Sequence, residues 1–480
     1  MTPAPGAALA GRLERVLRRA AADDLPDAAA ELFAAADRLH GPLRVAVAGR
    51  VKAGKSTLLN ALLGERLAAT DAGECTRLVT RFVHDWQYRV TAVRRGGARE
   101  PLPFRRGARG LEIDLADADD IAEIEVGWPS RRLDGLDLID TPGLGSLSPE
   151  VSARTEELTG AAGGVSRVDA VIYLMRHVHR DDTAFLEGFR DAGLPLGSPV
   201  TTVLVLSRAD EIGGGRPDAM DSARRIAARY SADPRLLALA GQVIPVAGLL
   251  AETASTLAEL EYRAIRDLAA DPSSPALLLS VDRFRDPERS PLTAELRELL
   301  LQRFGLFGLR VAVAAAAEGR VQSSSDLARM LEAVSGIGPV REAIDRRLRA
   351  RSQLLIVRSA VAAGRHIARQ HAAASPAGAA RLAAELDDLV ASAPELGLLE
   401  AAHLAATGLA RFSPSERVEA DTLLDRFAAA NLAPLPAGHA LAAIDRWRER
   451  ASDPLLDGFG RAAADAMTRA YEALYARSGG

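Results

Sequence analysis

Residues 43–60, LRVAVAGRVKAGKSTLLN, constrain the fold of this chain more than any other stretch of its sequence. Their first part is mostly apolar and favours a buried strand, and the part after Gly54 has helical character. Glycines at 49 and 54 allow successive backbone N–H groups to face a phosphate group, and the positive end of the helix adds to the attraction. The segment therefore predicts a phosphate-binding loop inside an α/β domain.

In such a loop the side chains that follow the second glycine contact the phosphates and the metal. Lys55 would bridge the β- and γ-phosphates of a nucleoside triphosphate, and Ser56 would ligate Mg²⁺. We expect these loop residues to bind the nucleotide: Gly49, Arg50, Val51, Lys52, Ala53, Gly54, Lys55, Ser56 and Thr57.

A second motif, Asp140-Thr-Pro-Gly143, follows the apolar run LDLID about 85 residues beyond Lys55. In this position Asp140 would hold Mg²⁺ through water, and the Gly143 N–H would sense the γ-phosphate. A threonine that lies between Ser56 and Asp140 in the sequence is also needed to contact Mg²⁺. We select Thr76, in the turn-like stretch DAGECTR, over Thr70 and Thr80, and assign it a metal-binding and catalytic role.

A third motif, Ser207-Arg-Ala-Asp210, ends the apolar run TTVLVLS and predicts recognition of guanine. Asp210 can accept two hydrogen bonds from the guanine edge, which adenine cannot donate. The Arg208 stem can lie over the base, and Ser207 can tie this loop to the phosphate loop. The run VIPVAG would add backbone contacts from Ala247 and Gly248. The expected ligands are GTP and GDP, and no metal other than Mg²⁺ is assigned.

The chain holds only two lysines, Lys52 and Lys55, among 60 basic residues, and both lie in the phosphate loop. Phosphate chemistry explains Lys55. The Lys52 ammonium could lie between α- and γ-phosphate oxygens and stabilise charge that develops during hydrolysis, a catalytic role that suits a compact point charge. A basic residue that the loop merely tolerates is the alternative.

The order of elements predicts two structural units. Residues 1–41 contain two amphipathic helical segments that we assign to a neck, and residues 42–270 alternate short strand-like runs with helices, which indicates a mostly parallel sheet covered on both faces. Four prolines between residues 271 and 291 suggest a boundary. Residues 271–480 read as an α-helical bundle that forms neck and trunk.

Composition narrows the location and the partners. The net charge is −4 and acidic and basic residues are interspersed, so nucleic acid is not an expected partner. A single cysteine, Cys75, excludes an intrachain disulfide and fits a cytoplasmic protein. No uninterrupted apolar run reaches the roughly 18 residues of a spanning helix, so we expect membrane contact to be peripheral.

The stretches Gly49–Asn60, GECTR, DTPGL and SRADEIG together resemble the dynamin superfamily, and more narrowly the actinobacterial dynamin-like proteins, which include the isoniazid-inducible membrane-remodelling GTPases. The resemblance extends over about residues 42–360, through LLLQRFGLFGLR and SGIGPVREAIDRRLRARS. It implies a GTP-hydrolysing head, a neck built from both ends of the chain and a helical trunk. It also implies nucleotide-dependent dimers of heads, or hetero-oligomers with a related protein, that act on an anionic membrane at the inner face of the cell membrane.

Two positions depart from familiar patterns. Leu144 replaces the glutamine with which many small GTPases orient water, and Lys52 stands where dynamins place a loop serine that helps to hold a monovalent cation.

A GTP-controlled assembly factor or ribosome-associated switch without lipid activity is the alternative function. The segment Phe304–Gly308 could be an apolar membrane tip, although a buried turn between helices is favoured.

Overall fold

The computed structural model describes residues 5–68, 78–107, 110–113, 120–141, 167–177, 198–286, 292–429 and 435–477. Thr76, Gly143 and Leu144 lie outside the described residues, so their predicted roles stay predictions.

Eleven strands are present in the described part of the chain. They are β1 Leu43–Gly49, β2 Val79–His84, β3 Arg89–Arg94, β4 Arg99–Pro101, β5 Phe104–Gly107, β6 Gly110–Ile113, β7 Ile121–Trp128, β8 Leu136–Asp140, β9 Ala170–Met175, β10 Thr202–Ser207 and β11 Val243–Val246. Nine of them form one sheet in the order β11-β10-β9-β1-β8-β2-β7-β3-β4, and β5 pairs with β6. β11, β10, β9, β1 and β8 run parallel, whereas β8–β2, β7–β3 and β3–β4 are antiparallel.

Helices precede, cover and follow this sheet. Before and within the sheet region they are α1 Pro5–Arg19, α2 Ala29–Arg38, α3 Lys55–Leu63, α4 Ala219–Ser231, α5 Pro234–Ala240, α6 Gly248–Ser255, α7 Glu259–Ala270, α8 Ser274–Leu277, α9 Val281–Arg285, α10 Ala294–Ala317 and α11 Ser324–Ser335. Beyond it lie α12 Ile337–Ala343, α13 Ser352–His371, α14 Pro376–Ala391, α15 Pro394–Ala406, α16 Pro414–Ala428, α17 Ala437–Ser452 and α18 Gly458–Arg477. The predicted fold class, a mostly parallel α/β domain with a helical bundle, is confirmed.

Alternate residues of the central strands enter two different hydrophobic cores. Val45 and Val47 of β1 pack in one core, which continues into the bundle, and Ala46 and Ala48 pack in the other, together with α4 to α11. This alternation is the period of two that a strand imposes when both faces of its sheet are covered.

The N-terminal helices pack on the bundle. Gln353 of α13 donates a hydrogen bond to the Leu39 carbonyl at 3.1 Å, and Arg381 of α14 pairs with Asp24 at 2.8 Å. The N-terminal helices therefore lie against α13 and α14 of the bundle, and their assignment to a neck stays a prediction.

The packing partners do not change at the predicted boundary at residue 271. Helices α10 and α11 share the second core with the sheet and with α6 and α7. One of the prolines that suggested a boundary, Pro275, lies in the first turn of the short helix α8, where a missing N–H costs nothing.

Helix α10 is the one helix in the described ranges that is long and apolar enough to cross a membrane. Half of its most apolar window is buried inside the protein. Phe304 and Phe307 are 0% and 2% exposed, and Gly305 between them has non-helical backbone angles, so the segment 304–308 is a largely buried kink between two helical halves, as favoured over a membrane tip.

Candidate nucleotide-binding site

The sheet register brings the phosphate loop and the second motif to one edge. Val47 of β1 lies opposite Asp140 of β8, and Gly49 lies opposite Leu174 of β9. A Cβ at Gly49 would lie 2.4 Å from the Leu174 carbonyl oxygen, so only glycine fits where the loop leaves the strand. Thr141 continues the edge by donating its hydroxyl to the Val47 carbonyl at 2.9 Å.

Lys55 is held inside the loop that it would serve. Its Nζ donates to the carbonyls of Gly49 at 3.2 Å and Arg50 at 3.3 Å. Burial lowers the pKa of Lys55, and the charge of Asp140 opposes that shift. The ammonium is therefore positioned by neutral carbonyls that a phosphate oxygen can replace with a stronger, charged partner.

Ser56 and Asp140 form the predicted metal-binding pair. The Ser56 hydroxyl donates to Asp140 Oδ2 at 3.1 Å, while Asp140 Oδ1 is buried without a hydrogen-bond partner. Burial raises the pKa of Asp140 to about 6, and Lys55 and Ser56 counteract the rise. An unpartnered carboxylate oxygen beside a hydroxyl is the hard oxygen environment that Mg²⁺ prefers, so the residues present fit this ion.

The guanine motif follows β10, at the same edge of the sheet. Asp210 is 8% exposed, and burial, reinforced by Glu211, raises its pKa to about 6. Arg208 has a left-handed backbone with φ of +52° and donates to Glu211 Oε1 at 2.7 Å, while Glu211 Oε2 accepts a hydrogen bond from Arg176. This pairing anchors the guanidinium beside the base loop and leaves the stem available to cover a base.

Two details of the base loops differ from expectation. The Ser207 hydroxyl donates to the Met175 carbonyl at 3.1 Å, so it ties the loop to β9 and not to the phosphate loop. The Ser207 side chain is short and belongs to the last residue of β10, so the nearest acceptor is a backbone carbonyl of the neighbouring strand β9. The Ala247 N–H donates to the Ser335 carbonyl at 2.8 Å and is therefore engaged with the end of α11.

Gly248 is the first residue of α6, where backbone N–H groups have no intrahelical partner. A Cβ at this position would lie 3.8 Å from the Thr57 methyl carbon, so the last base loop touches the first turn of α3. The structure thus brings together the phosphate loop, Asp140 and both predicted base loops.

The other loop residues divide by exposure. Ala53 is buried, whereas Arg50, Val51 and Lys52 are exposed. Lys52 has a positive φ of 63°, which bulky residues seldom adopt and which directs the loop outward at this point. Its catalytic role stays a prediction.

Sequence reasoning missed one element that borders this site. Helix α10 approaches Asp210 and Leu249 from a position about 95 residues later in the chain than Asp210. No motif marks this approach, and the only local signal is Gly305 within an apolar helical run.

Comparison with known proteins agrees with the geometry of this site. A model described as the dynamin family matches residues 45–206. The isoniazid-induced protein IniC of Mycobacterium tuberculosis is 38% identical over 455 residues, which cover 92% of this chain and 91% of IniC. A bacterial dynamin-like protein of Nostoc punctiforme is 31% identical over 150 residues, which cover 28% of this chain and 21% of that protein.

A solved structure described as an oligomerised bacterial dynamin pair aligns with 98% of this chain and 73% of its own, at 13% identity and a TM-score of 0.33. The extent and identity of the match to IniC, together with the family model over the head, identify the relationship. The chain belongs to the dynamin family and is a bacterial dynamin-like protein.

Proposed function

We propose that the protein binds GTP and hydrolyses it to GDP and phosphate in a Mg²⁺-dependent reaction. The observation that carries this proposal is the meeting of Ser56, Asp140 and Lys55 at one sheet edge, with an unpartnered Asp140 oxygen between them. Asp210 at the same edge supplies the means to select guanine.

The residues divide the work by their chemistry. Lys55 exchanges its two carbonyl acceptors for β- and γ-phosphate oxygens, and Asp210 accepts two hydrogen bonds from the guanine edge. Ser56, and Asp140 through water, would hold Mg²⁺, and the bound ion would supply positive charge that offsets the charge of the phosphates. Lys52, at the exposed turn of the loop, adds a point charge where charge develops on the bridging oxygen.

Nucleotide binding and phosphate release test this proposal. We expect Lys55→Ala to abolish GTP binding, because it removes the charge that contacts two phosphates. Arg224→Ala, which breaks only an exposed ion pair on α4, is the matched surface control and should bind normally. Equal affinity of the unaltered protein for GTP and ATP would contradict the guanine assignment.

We also propose that the protein acts at an anionic membrane, peripheral to the inner face of the cell membrane, to remodel, fuse or sever it. Membership of the dynamin family supports this, and so does an exposed apolar surface on the bundle formed by Leu409, Leu455 and Phe459, which are 44%, 93% and 53% exposed. The two loops that carry Leu409 and Leu455 adjoin, because Arg450 at the end of α17 donates to the Arg411 carbonyl at 2.9 Å.

Co-sedimentation with liposomes tests the membrane proposal. We expect binding to vesicles that contain anionic lipid, weakened by salt because screening acts over about 8 Å at physiological ionic strength. Leu455→Ser with Phe459→Ser should reduce binding, whereas Leu260→Ser, an equally exposed apolar residue on α7 of the head, should not. Failure to bind any anionic vesicle, combined with capture by ribosomes in competition, would favour the assembly-factor alternative.

Dimerisation of heads is the third part of the proposal, either between copies of this chain or with a related dynamin-like protein. Leu144 has no polar group with which to orient an attacking water, so a lone head lacks that function. Specific GTPase activity should therefore rise with protein concentration over the range where light scattering detects dimers. A flat dependence over that range would contradict it.

A further inference from the structure

Helix α10 is sharply kinked where it passes the predicted base site. Gly305 has φ of +61° and ψ of 176°, a combination that is essentially restricted to glycine. Phe304 and Phe307 on either side of the kink are buried, whereas Gly305 and Leu306 are partly exposed. The kink therefore presents two residues to an open space inside an otherwise buried stretch.

Both base loops adjoin the kink. A Cβ on Gly305 would lie 3.8 Å from Asp210 Oδ2 and 3.7 Å from Leu249 Cδ2. Asp210 belongs to the loop after β10, and Leu249 follows Gly248 at the start of α6. The kink thus faces the carboxylate that would read the guanine edge, at a distance where an added methyl group would compete with the base.

Two arginines fix α10 against the segments around the base site. Arg310 donates to the Gly215 carbonyl, a few residues beyond Asp210, at 2.6 Å and to the Leu278 carbonyl at 2.8 Å. Arg303 is 3% exposed, pairs with the buried Glu261 at 2.5 Å and donates to the Thr256 carbonyl at 2.9 Å. Because Arg303 precedes the kink and Arg310 follows it, the position of the kink relative to Asp210 is fixed from both sides.

We propose that the kink at Gly305 and Leu306 is the third wall of the guanine pocket, and that a bound base holds α10 in its kinked form. This rests on the proposed function, since it assumes guanine at Asp210. The Arg208 stem would cover one face of the base, and Leu249 and Leu306 would provide apolar contacts on the side of the helix. The absence of a side chain at 305 leaves the base edge room to approach Asp210.

The same wall links the nucleotide to the rest of the chain. Helix α11 follows α10, and the carbonyl of its last residue, Ser335, accepts a hydrogen bond from the Ala247 N–H at 2.8 Å. The α10–α11 unit therefore touches the base loops at the kink of α10 and again at the end of α11. Loss of the base would free the kink to straighten and would move the segment that leads from Ser335 to the bundle.

A glycine substitution tests the wall directly. Gly305→Ala should weaken binding of fluorescent GTP and GDP by about tenfold or more, since it fills the pocket or unbends the helix, while inorganic triphosphate should still compete as well as in the unaltered protein. Gly319→Ala is the matched control, because Gly319 follows the same helix with φ of +68° and has no atom near its Cβ position. It should change nucleotide affinity by less than about twofold.

Photolabelling of the unaltered protein gives an answer even if Gly305→Ala does not fold. Irradiation with 6-thio-GTP, whose photoreactive sulfur replaces the oxygen beside the edge that Asp210 reads, should label the tryptic peptide Phe304–Arg310, and excess GTP should suppress the labelling. If the unaltered protein binds GTP but the label is confined to other peptides, or if Gly305→Ala binds GTP normally, the wall is refuted. Failure of the unaltered protein to bind GTP at all would instead refute the proposed function.

Discussion

Replacing Asp140 by asparagine separates the demands of metal binding from those of folding. One Asp140 oxygen accepts a hydrogen bond from Ser56, and the other is buried without a hydrogen-bond partner. Burial raises its pKa from 3.8 to about 6. At about 1.4 kcal/mol for each pKa unit, the buried charge lowers the free energy of unfolding by up to about 3 kcal/mol at neutral pH.

The sign of this effect fixes its pH dependence. Because the folded-state pKa of Asp140 lies above the unfolded value, the folded protein holds the proton more tightly, and the free energy of unfolding falls as pH rises between 3.8 and about 6. Above that window the loss is complete and constant. Asparagine keeps an acceptor for Ser56 and has no charge, so Asp140→Asn should stabilise the metal-free protein at neutral pH and should do so by only about half as much near pH 5.

The assay is the thermal unfolding midpoint in a chelator, without nucleotide, compared at pH 7.5 and 5. A gain of several degrees for Asp140→Asn at pH 7.5 is expected, given about 2–4 °C for each kcal/mol in units of this size. Mg²⁺ and GTP should reverse the order, because they stabilise only a protein that binds them. A variant that is less stable than the original at pH 7.5, or a gain that does not shrink at pH 5, would refute the reasoning.

Three further outcomes are expected. Lys52→Ala should lower GTP turnover by about tenfold or more while GTP still binds. Lys52→Ser should recover some turnover, but only with potassium or sodium. If the unaltered protein requires potassium, Lys52 has no part in the mechanism. Asp210→Asn should weaken GTP and improve xanthosine triphosphate in competition binding, since its amide can donate where the xanthine edge accepts. Arg303→Met should lower the free energy of unfolding by about 3–5 kcal/mol, because Glu261 is left buried without its partner. Thermal or urea unfolding measures this loss, and the double variant Arg303→Met with Glu261→Gln should restore part of it.

Most of the strands could be predicted, including β2 and β3, which carry charged residues, but β4 to β7 could not. The apolar runs that become β1, β8, β9, β10 and β11 are evident in the sequence because both of their faces are buried. Strand β7 was missed because Glu123 and Glu125 interrupt its apolar pattern. Those carboxylates lie within the sheet because Arg81 of β2 pairs with Glu123 at 2.5 Å and Arg99 pairs with Glu125 at 2.6 Å. A cross-strand ion pair depends on register, which a single sequence does not reveal.

The candidate site, like the sheet, could be predicted from the sequence only in part. The phosphate loop, Asp140 and Asp210 could be placed from sequence because each motif is local and ends a strand of one parallel sheet, whose carboxyl edge collects them. The partner of Ser207 and the approach of Gly305 could not, because both depend on which segments pack together across the fold. Gly305 carries a signal only in retrospect, as a glycine inside a helix that would be more stable with alanine.

Two arginines one helical turn apart anchor the segment that leads from the head to the bundle. Arg347 donates to the carbonyls of Pro199 and Ala240 in the head, the second at 3.1 Å, and burial there lowers its pKa to about 10. Arg351 pairs with Asp421 at 3.3 Å and Asp425 at 2.7 Å, both on α16 of the bundle. Residues 336–351 lie between α11, which packs with the sheet, and α13 of the bundle, and this short segment has an anchor in each unit. Both anchors lie well beyond the proline-rich stretch at 271–291 where the sequence suggested the division.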